Sequence, residues 1–194
     1  KAKVEAAQAK LEAAKNLLEA KSDNSGLREA KNGLDTERNK AVDTTGKTPE
    51  SVSAYNDAKQ KAKEASEAAQ TVLDNQNATA QDIQAEITKV NKAKEKLAEA
   101  EAGLTTAATA QAKQELTTAK EGLDAPVSTD GMTPASVEKY NAAKAEAQQA
   151  VTEAKEAAQN ALNKGENATE AEVADAKAKV EAAQAKLEAA KNLL

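Results

Sequence analysis

The chain begins and ends on the same eighteen residues, and this repetition constrains its fold more than any other feature. Residues 1–18 read KAKVEAAQAKLEAAKNLL, and residues 177–194 repeat them letter for letter. A long internal repeat is typical of tandem arrays, in which each unit packs against its neighbours. The composition favours a helix, and Val4, Leu11 and Leu18 recur every seven residues. The repeat therefore predicts an α-helix with one apolar seam, packed in a helical bundle.

A second, looser repetition lies between the two identical copies. The segment TPESVSAYNDAK (48–59) recurs as TPASVEKYNAAK (133–144), at an offset of 85 residues. The segment NATAQDI (77–83) recurs as NATEAEV (167–173), at an offset of 90 residues. The chain is therefore expected to contain two related modules of unequal length.

We expect three segments along the chain. The identical eighteen residues predict that residues 1–24 are the last helix of a preceding repeat. The looser repetition then gives a first three-helix module at residues 25–104 and a second at residues 105–194. Neighbouring repeats of the same chain are therefore the first partners that the sequence predicts.

Capping and turn residues predict where the helices begin and end. Thr48 and Pro49 suit an N-cap and the first helical position. Thr79 followed three residues later by Asp82 resembles a capping box. The turn-forming letters KSDNSG at residues 21–26 predict a kink or a break. The first three helices are expected over residues 1–21, 25–42 and 49–74.

The junction between the two modules predicts the architecture. Residues 101–116 contain no Pro and no strong turn cluster, so the sequence allows one shared helix from Thr79 to Gly122 and leaves its continuity open. A shared helix would join the modules stiffly. The expected fold is therefore all-α: tandem three-helix bundles that share or abut long helices in an elongated rod.

The two modules also differ in the spacing of their apolar residues. Tyr55 and Leu73 are 18 positions apart, whereas the corresponding Tyr140 and Leu162 are 22 apart. In a neighbouring helix, the spacing between seam leucines grows from 16 to 19 residues. Two packed helices stay in step when both gain about one turn, so both second-module helices are expected to be longer.

Composition excludes most catalytic and metal-binding chemistry. The chain has no His and no Cys, so it cannot build an imidazole-based triad or a thiolate metal site. Glu64, Glu67, Glu95 and Glu99 stand among Lys residues at helical spacing, as on a solvated, salt-bridged face. The net charge is −5 without a basic patch, and no apolar run could span a bilayer. We therefore expect no enzyme activity, no cofactor or metal, no nucleic-acid partner and no membrane insertion.

Two pairs of residues have both a functional and a structural interpretation. Asn77 and Asn167 match the Asn-X-Thr acceptor of N-glycosylation, but Asn also suits a turn before a Thr N-cap. Tyr55 and Tyr140 could anchor a ligand, or their rings could fill the helix seam near the Thr-Pro end. We favour the structural interpretation for both pairs, and the sequence assigns no ligand-binding residue.

The pattern of a Thr-Pro start, a spaced Tyr, an Ala-rich helix, an Asn turn and a Val/Leu heptad helix resembles the FIVAR repeats. These are the "found in various architectures" modules of Gram-positive surface proteins. In the first module the resemblance is carried by Thr48, Pro49, Ser51, Val52, Tyr55, Ala58, Leu73, Asn77, Ala78, Thr79, Ile83, Val90 and Leu97. In the second it is carried by Thr133, Pro134, Ser136, Val137, Tyr140, Ala143, Leu162, Asn167, Ala168, Thr169, Val173, Val180 and Leu187.

The resemblance implies three-helix modules in wall-anchored adhesins, and it brings no catalytic residues. Together with the repetition, it predicts a stalk or spacer that projects an adhesive domain from the cell wall. The expected location is extracellular, at the cell surface, with a cell-wall anchor in the full-length protein. The alternative is an adhesin repeat that itself binds host extracellular-matrix or plasma proteins. Both alternatives fit a repeated chain, because copies can add either length or avidity.

Overall fold

The computed structural model describes residues 2–16 and 22–194. They form seven α-helices and one short 3₁₀ turn, Gly165–Asn167. None of the described helices has both the length and the apolar character that crossing a bilayer requires. The helices are α1 (Ala2–Asn16), α2 (Ser25–Arg38), α3 (Pro49–Asp74), α4 (Ala80–Ala102), α5 (Ala110–Gly122), α6 (Pro134–Asn163) and α7 (Glu170–Lys191).

The helices belong to two compact units. The first comprises Lys1–Val42 and Tyr55–Ala102, and the second comprises Asp43–Ala54 and Gly103–Leu194. The residues before α3 and its first turn therefore belong to the second unit, while the rest of α3 belongs to the first. The predicted all-α class of helical bundles is confirmed.

The first unit has a small core that follows the predicted heptads. Helix α2 packs against α4, and Ser66 of α3 donates a hydrogen bond of 2.7 Å to Asp35 of α2. Leucines and β-branched residues fill the seams at intervals of seven, and Ala62 and Ala69 lie on the buried face of α3. The buried apolar residues of this unit are Leu27, Leu34, Tyr55, Ala62, Ala69, Ile83, Val90 and Leu97.

The second unit is built around α6 and α7, with α5 packed against both. Lys177 of α7 pairs with Glu115 of α5 at 2.8 Å, and Gln184 donates to the Ala119 carbonyl at 3.0 Å. Ala is the commonest core residue here, as the composition suggested. The cluster contains Ala108, Leu116, Leu123, Val151, Ala154, Ala158, Ala161, Ala168, Val173, Ala176, Val180 and Ala183.

The predicted helix starts are confirmed. Thr48 precedes α3, and its hydroxyl accepts the Ser51 N–H at 3.4 Å. Thr79 and Asp82 form the expected reciprocal cap, with bonds of 3.0 and 3.1 Å. Thr169 forms a full capping box with Glu172 at the start of α7.

Two predicted helix ends differ from the structure. Helix α2 was expected to reach Val42 but ends at Arg38, where Asn39 closes the last turn. The first helix was expected over residues 1–21; α1 covers Ala2–Asn16, and residues 17–21 lie outside the described part of the chain. Residues 22–24 are not helical, which agrees with the break predicted there.

The continuous helix that the sequence allows from Thr79 to Gly122 does not form. Helix α4 ends at Ala102, and α5 begins only at Ala110 with Thr109 as its N-cap. Gly103 and the β-branched Thr residues weaken a helix here. The backbone groups between the two helices instead form hydrogen bonds with other segments of the chain. In a continuous helix, these groups would have bonded to one another.

The prediction of matched insertions is half right. Helix α6 has 30 residues and α3 has 26, so the expected extra turn is present. Helix α5 has 13 residues and α2 has 14, so the neighbouring helix is not lengthened. Helix α5 begins six residues before Leu116, whereas α2 begins two residues before Leu27, so the added residues of the second module lie in the first turn of α5. Helix α5 stays short because it ends at Gly122, before Leu123, whereas α2 continues past Leu34 to Arg38.

Candidate functional site

Of the four carboxylates predicted on the helix faces, Glu67 and Glu99 form ion pairs with Lys, Glu64 accepts a hydrogen bond from Gln60, and Glu95 is exposed. Lys96 pairs with Glu99 at 2.6 Å, Lys63 pairs with Glu67 at 3.8 Å, and all four side chains are largely exposed. Within the described ranges, no cluster of three or more Asp and Glu is arranged to hold a metal ion. These ion pairs form solvated helix surfaces and offer no acid–base pair in a cavity.

Both tyrosines are core residues. Tyr55 is 3% exposed and Tyr140 is 5% exposed. A lysine one turn further along the helix lies over each ring, with Nζ 5.8 Å and 5.7 Å from the respective ring centroids. Burial raises the pKa of Tyr55, and the nearby charges of Glu101 and Glu37 raise it further. The burial supports the structural interpretation, because a ligand anchor would need an exposed ring face.

The break between α4 and α5 forms the most distinctive site of the second unit. Residues 105–108 run extended between two other backbone segments, residues 46–48 and residues 168–170. We call this three-segment arrangement the backbone clasp. Each of its outer segments leads directly into a long helix, α3 or α7.

Four backbone hydrogen bonds hold the clasp. On one side, the Thr48 N–H donates to the Thr105 carbonyl and the Ala107 N–H donates to the Gly46 carbonyl, both at 2.9 Å. On the other side, the Ala108 N–H donates to Ala168 at 2.8 Å and the Glu170 N–H donates to Thr106 at 3.0 Å. Gly46 has a φ of +67°, a backbone conformation that residues with a side chain rarely adopt. The clasp thus joins the starts of α3 and α7 through one short strand-like segment.

Side chains add to the clasp. The Asn167 carboxamide oxygen accepts the Glu50 N–H at 2.9 Å, so it caps the first turn of α3. The Thr48 and Thr105 hydroxyls lie 2.9 Å apart, and Thr48 is only 3% exposed. The sequence predicted Asn167 as a turn residue but did not predict this contact, because its partner is 117 residues away.

An open groove of about 1050 Å³ lies on the second unit. The end of α5 and the loop after it form one wall, and α6 and the last turns of α7 form the others. Lys155 pairs with Asp124 across one rim, and Lys191 pairs with Glu188 on another. Its apolar lining consists of Leu123, Ala125, Pro126, Val127, Met132, Tyr140, Val151, Ala185, Leu187 and Leu194.

The groove exists because α5 ends early. In the first unit, α2 continues past Leu34 to Arg38, and its Asp35 binds Ser66. In the second unit, α5 ends at Gly122, and Pro126 cannot continue a helix because it lacks an N–H. The missing turn leaves the groove open between the start of α6 and the end of α7, at the opposite end of α7 from the clasp.

Comparison with known proteins relates the chain to a described family and to bacterial proteins. The FIVAR domain family matches residues 30–98 and 119–188. The chain is 45% identical over 122 residues to "Extracellular matrix-binding protein EbhB" of Staphylococcus aureus strain N315, which covers 62% of this chain and 3% of that protein. It is 43% identical over 134 residues to the protein of the same name from strain Newman, which covers 66% of this chain and 2% of that protein. The chain thus spans only a few per cent of the length of these relatives.

A solved structure, described as "Characterization of extracellular matrix binding protein- (Embp)-mediated Staphylococcus epidermidis adherence to fibronectin", also resembles the chain in sequence. The match covers 88% of this chain and 99% of that chain at 28% identity, with a TM-score of 0.34, which is too low to add to the fold assignment. The two family matches cover more than half of the chain. The chain belongs to the FIVAR domain family and carries two FIVAR domains in tandem.

Proposed function

We propose that this chain is a spacer segment of a bacterial surface adhesin, and that its output is the distance it sets between the cell wall and an adhesive domain. In this proposal, residues 1–24, which contain α1, are the end of a preceding repeat, and residues 25–104 and 105–194 are two complete modules. The full-length protein would be extracellular and anchored to the cell wall, with neighbouring repeats of its own chain as partners.

The observation that carries the proposal is the contrast between the two identical eighteen-residue copies. In α7, Val180 is fully buried, and the seam alanines beside it are buried as well. In α1, the equivalent Val4 is 62% exposed and Leu11 is 73% exposed. The same helix sequence therefore serves once inside a bundle and once without its bundle partners. A preceding module would bury the α1 seam, and repeats joined in this way add length with each copy.

The relatives are consistent with a repeat of an adhesin. The Staphylococcus aureus proteins are named extracellular matrix-binding proteins, and this chain corresponds to 3% of the length of one of them. A protein with so much additional sequence has room for many such segments. Most of these segments could set the distance from the cell wall, while a smaller part of the protein binds the ligand. The spacer proposal requires this separation of the two functions.

A second candidate function is direct binding of a host matrix or plasma protein. The groove of the second unit is the observation that favours it, because an apolar side chain such as Met132, 44% exposed, suits a partner's apolar segment. Copies of such a module would gain avidity from repetition. The spacer proposal requires no ligand in this groove. A measurement of matrix-protein binding to the groove therefore distinguishes the two proposed functions.

We expect the chain, displayed on beads, to bind fibronectin, fibrinogen, collagen and immunoglobulin at background level. Surface plasmon resonance with each protein as the analyte would measure this. The matched variants are Met132→Glu, which charges the groove, and Ala142→Glu, which adds the same charge at an exposed α6 position outside the groove. Saturable binding that Met132→Glu abolishes and Ala142→Glu preserves would overturn the spacer proposal in favour of the binding module.

A further inference from the structure

The turn that starts α3 is repeated at the start of α6. Gly46 has a φ of +67° and Gly131, which stands 85 positions later, has a φ of +78°. The residue after each glycine donates its N–H to the carbonyl two residues before that glycine, at 3.2 Å and 3.1 Å. In both turns, the Ser three residues after the N-cap Thr donates its hydroxyl to the Thr carbonyl at 3.0 Å. The two helix starts thus present the same backbone groups in the same geometry.

The first of these starts is covered. The Thr48 N–H and the Gly46 carbonyl are paired in the backbone clasp, and the Glu50 N–H is capped by Asn167. Thr48 is 3% exposed as a result. The covering residues follow directly after α4 or form the turn before α7.

The second start is open. Thr133 is exposed, and its neighbour Met132 is 44% exposed. Among residues 2–16 and 22–194, no hydrogen bond is made to the Gly131 carbonyl or by the N–H groups of Thr133 and Ala135. These are the equivalents of the three backbone groups that are satisfied at the first start. We call the surface formed by residues 131–136 the open start. It presents the same three backbone groups that are paired at the first start, without partners among the described residues.

We propose that the open start is the docking surface for a further module of this same type. Its occupant is an extended segment equivalent to residues 105–108, together with an Asn equivalent to Asn167. The Thr133 N–H would donate to the first carbonyl of that segment, and the Gly131 carbonyl would accept an N–H two residues later. The Ala135 N–H would donate to the carboxamide of the incoming Asn.

Chain connectivity favours this occupant over an unrelated partner. Leu194 matches Leu104 in the repeat, and Leu104 is followed at once by the clasp segment that covers the first start. A module joined after Leu194 would therefore deliver its first residues to the open start. The contact is head-to-tail, so it extends the chain without closing a ring.

The proposal also assigns a role to the Asn-Ala-Thr turns. Asn167 uses its carboxamide to cap another helix, and Ala168 behind it is fully buried. Asn77 occupies the equivalent place in the first module, and its side chain is exposed. It would cap the Thr-Pro helix of a preceding module in the same way. This use of the carboxamide explains why Asn is suited to this position without any glycan.

The inference rests on the proposed tandem arrangement, and its test is hydrogen exchange by NMR on an extended chain. The chain of 194 residues is compared with one in which residues 105–194 are repeated after Leu194. We expect exchange of the Thr133 and Ala135 amides to slow by about tenfold or more, as amides gain buried partners. An Asn→Ala change at the Asn167 position of the added copy should release Ala135 but not Thr133.

The natural chain supplies the matched control. Asn167→Ala should speed exchange of the Glu50 amide by about fivefold, because it removes one helix cap, and should leave the Ala135 amide unchanged. A second extension, in which residues 19–104 follow Leu194, guards against poor folding of the first. Unchanged exchange at Thr133 and Ala135 in both extended chains would overturn the inference. The spacer proposal would survive that result, because it is tested by ligand binding and reach.

Discussion

Replacing Val180 with Asp should destabilise the second unit by about 3–5 kcal/mol, because it buries a charge that has no partner. Val180 is 0% exposed in the core cluster formed by α5, α6 and α7. The same substitution at Val4, which is 62% exposed, should change the free energy of unfolding by less than about 0.5 kcal/mol. Urea unfolding followed by circular dichroism measures both effects.

The pair of variants is a controlled comparison within one chain. Val4 and Val180 occupy the same position in identical eighteen-residue segments, but Val4 lies in the first turn of α1 and Val180 in the middle of α7. A carboxylate in a first helical turn is favoured by about 0.3–1 kcal/mol, so a difference between the variants well above that amount reports tertiary packing. Equal losses of stability would show that α1 packs as α7 does, and would remove the main support for the proposed preceding module.

Replacing Tyr55 with Ala should cost about 2–4 kcal/mol of the stability of the first unit, as for other large core residues cut back to Ala. The core of this unit contains few large side chains, and Tyr55 is the only aromatic one among its described residues. Its ring is 3% exposed and lies beneath Lys59. Thermal unfolding of the variant, with hydrogen exchange to assign the loss to the first unit, measures the effect.

Tyr55→Phe is the matched control for that variant. It keeps the ring and removes only the hydroxyl, so it should cost less than about 1.5 kcal/mol. An unchanged stability in Tyr55→Ala would contradict the core assignment. Loss of binding to a matrix protein without loss of stability would show instead that the ring is a ligand anchor.

Local signals predicted most of the fold. The structure confirms three features that involve residues at most a few turns apart. These are the Thr-Pro start of α3, the Thr79–Asp82 cap and the seven-residue spacing of Ile83, Val90 and Leu97. Such features depend on the chain near the residue, so a single sequence contains them. The family resemblance was carried by the same residues.

Contacts between distant segments could not be predicted in this way. Residues 103–109 have no Pro, so their own preferences allowed a continuous helix. The extended segment forms in place of a helix because the Thr105 carbonyl and the Ala107 N–H pair with backbone groups of residues 46–48. No local sequence pattern reveals these distant partners. The groove was likewise hidden, since it depends on where α5 ends relative to α6 and α7. Tertiary hydrogen bonding overrode local preference at these places.

The clasp gives the spacer proposal a physical basis. Four backbone hydrogen bonds, which do not depend on side-chain identity, take the place of the shared helix that the sequence suggested, and the Asn167 carboxamide adds one cap. Surface residues other than this Asn can then vary between copies while the backbone bonds are kept. A spacer needs this property, because its function depends on the joint and on the number of copies.

The most direct test of the spacer proposal measures reach against copy number. The repeat unit is residues 1–176, because residue 177 begins the second copy of the eighteen-residue segment. One, two and four copies of this unit would be displayed on a surface beneath a terminal fluorescent domain. Interferometric height measurement would then locate that domain. The proposal predicts that height rises by an equal increment with each copy and that matrix-protein capture by the repeats stays at background. A height that does not increase with copy number, or capture that grows with copies, would contradict it.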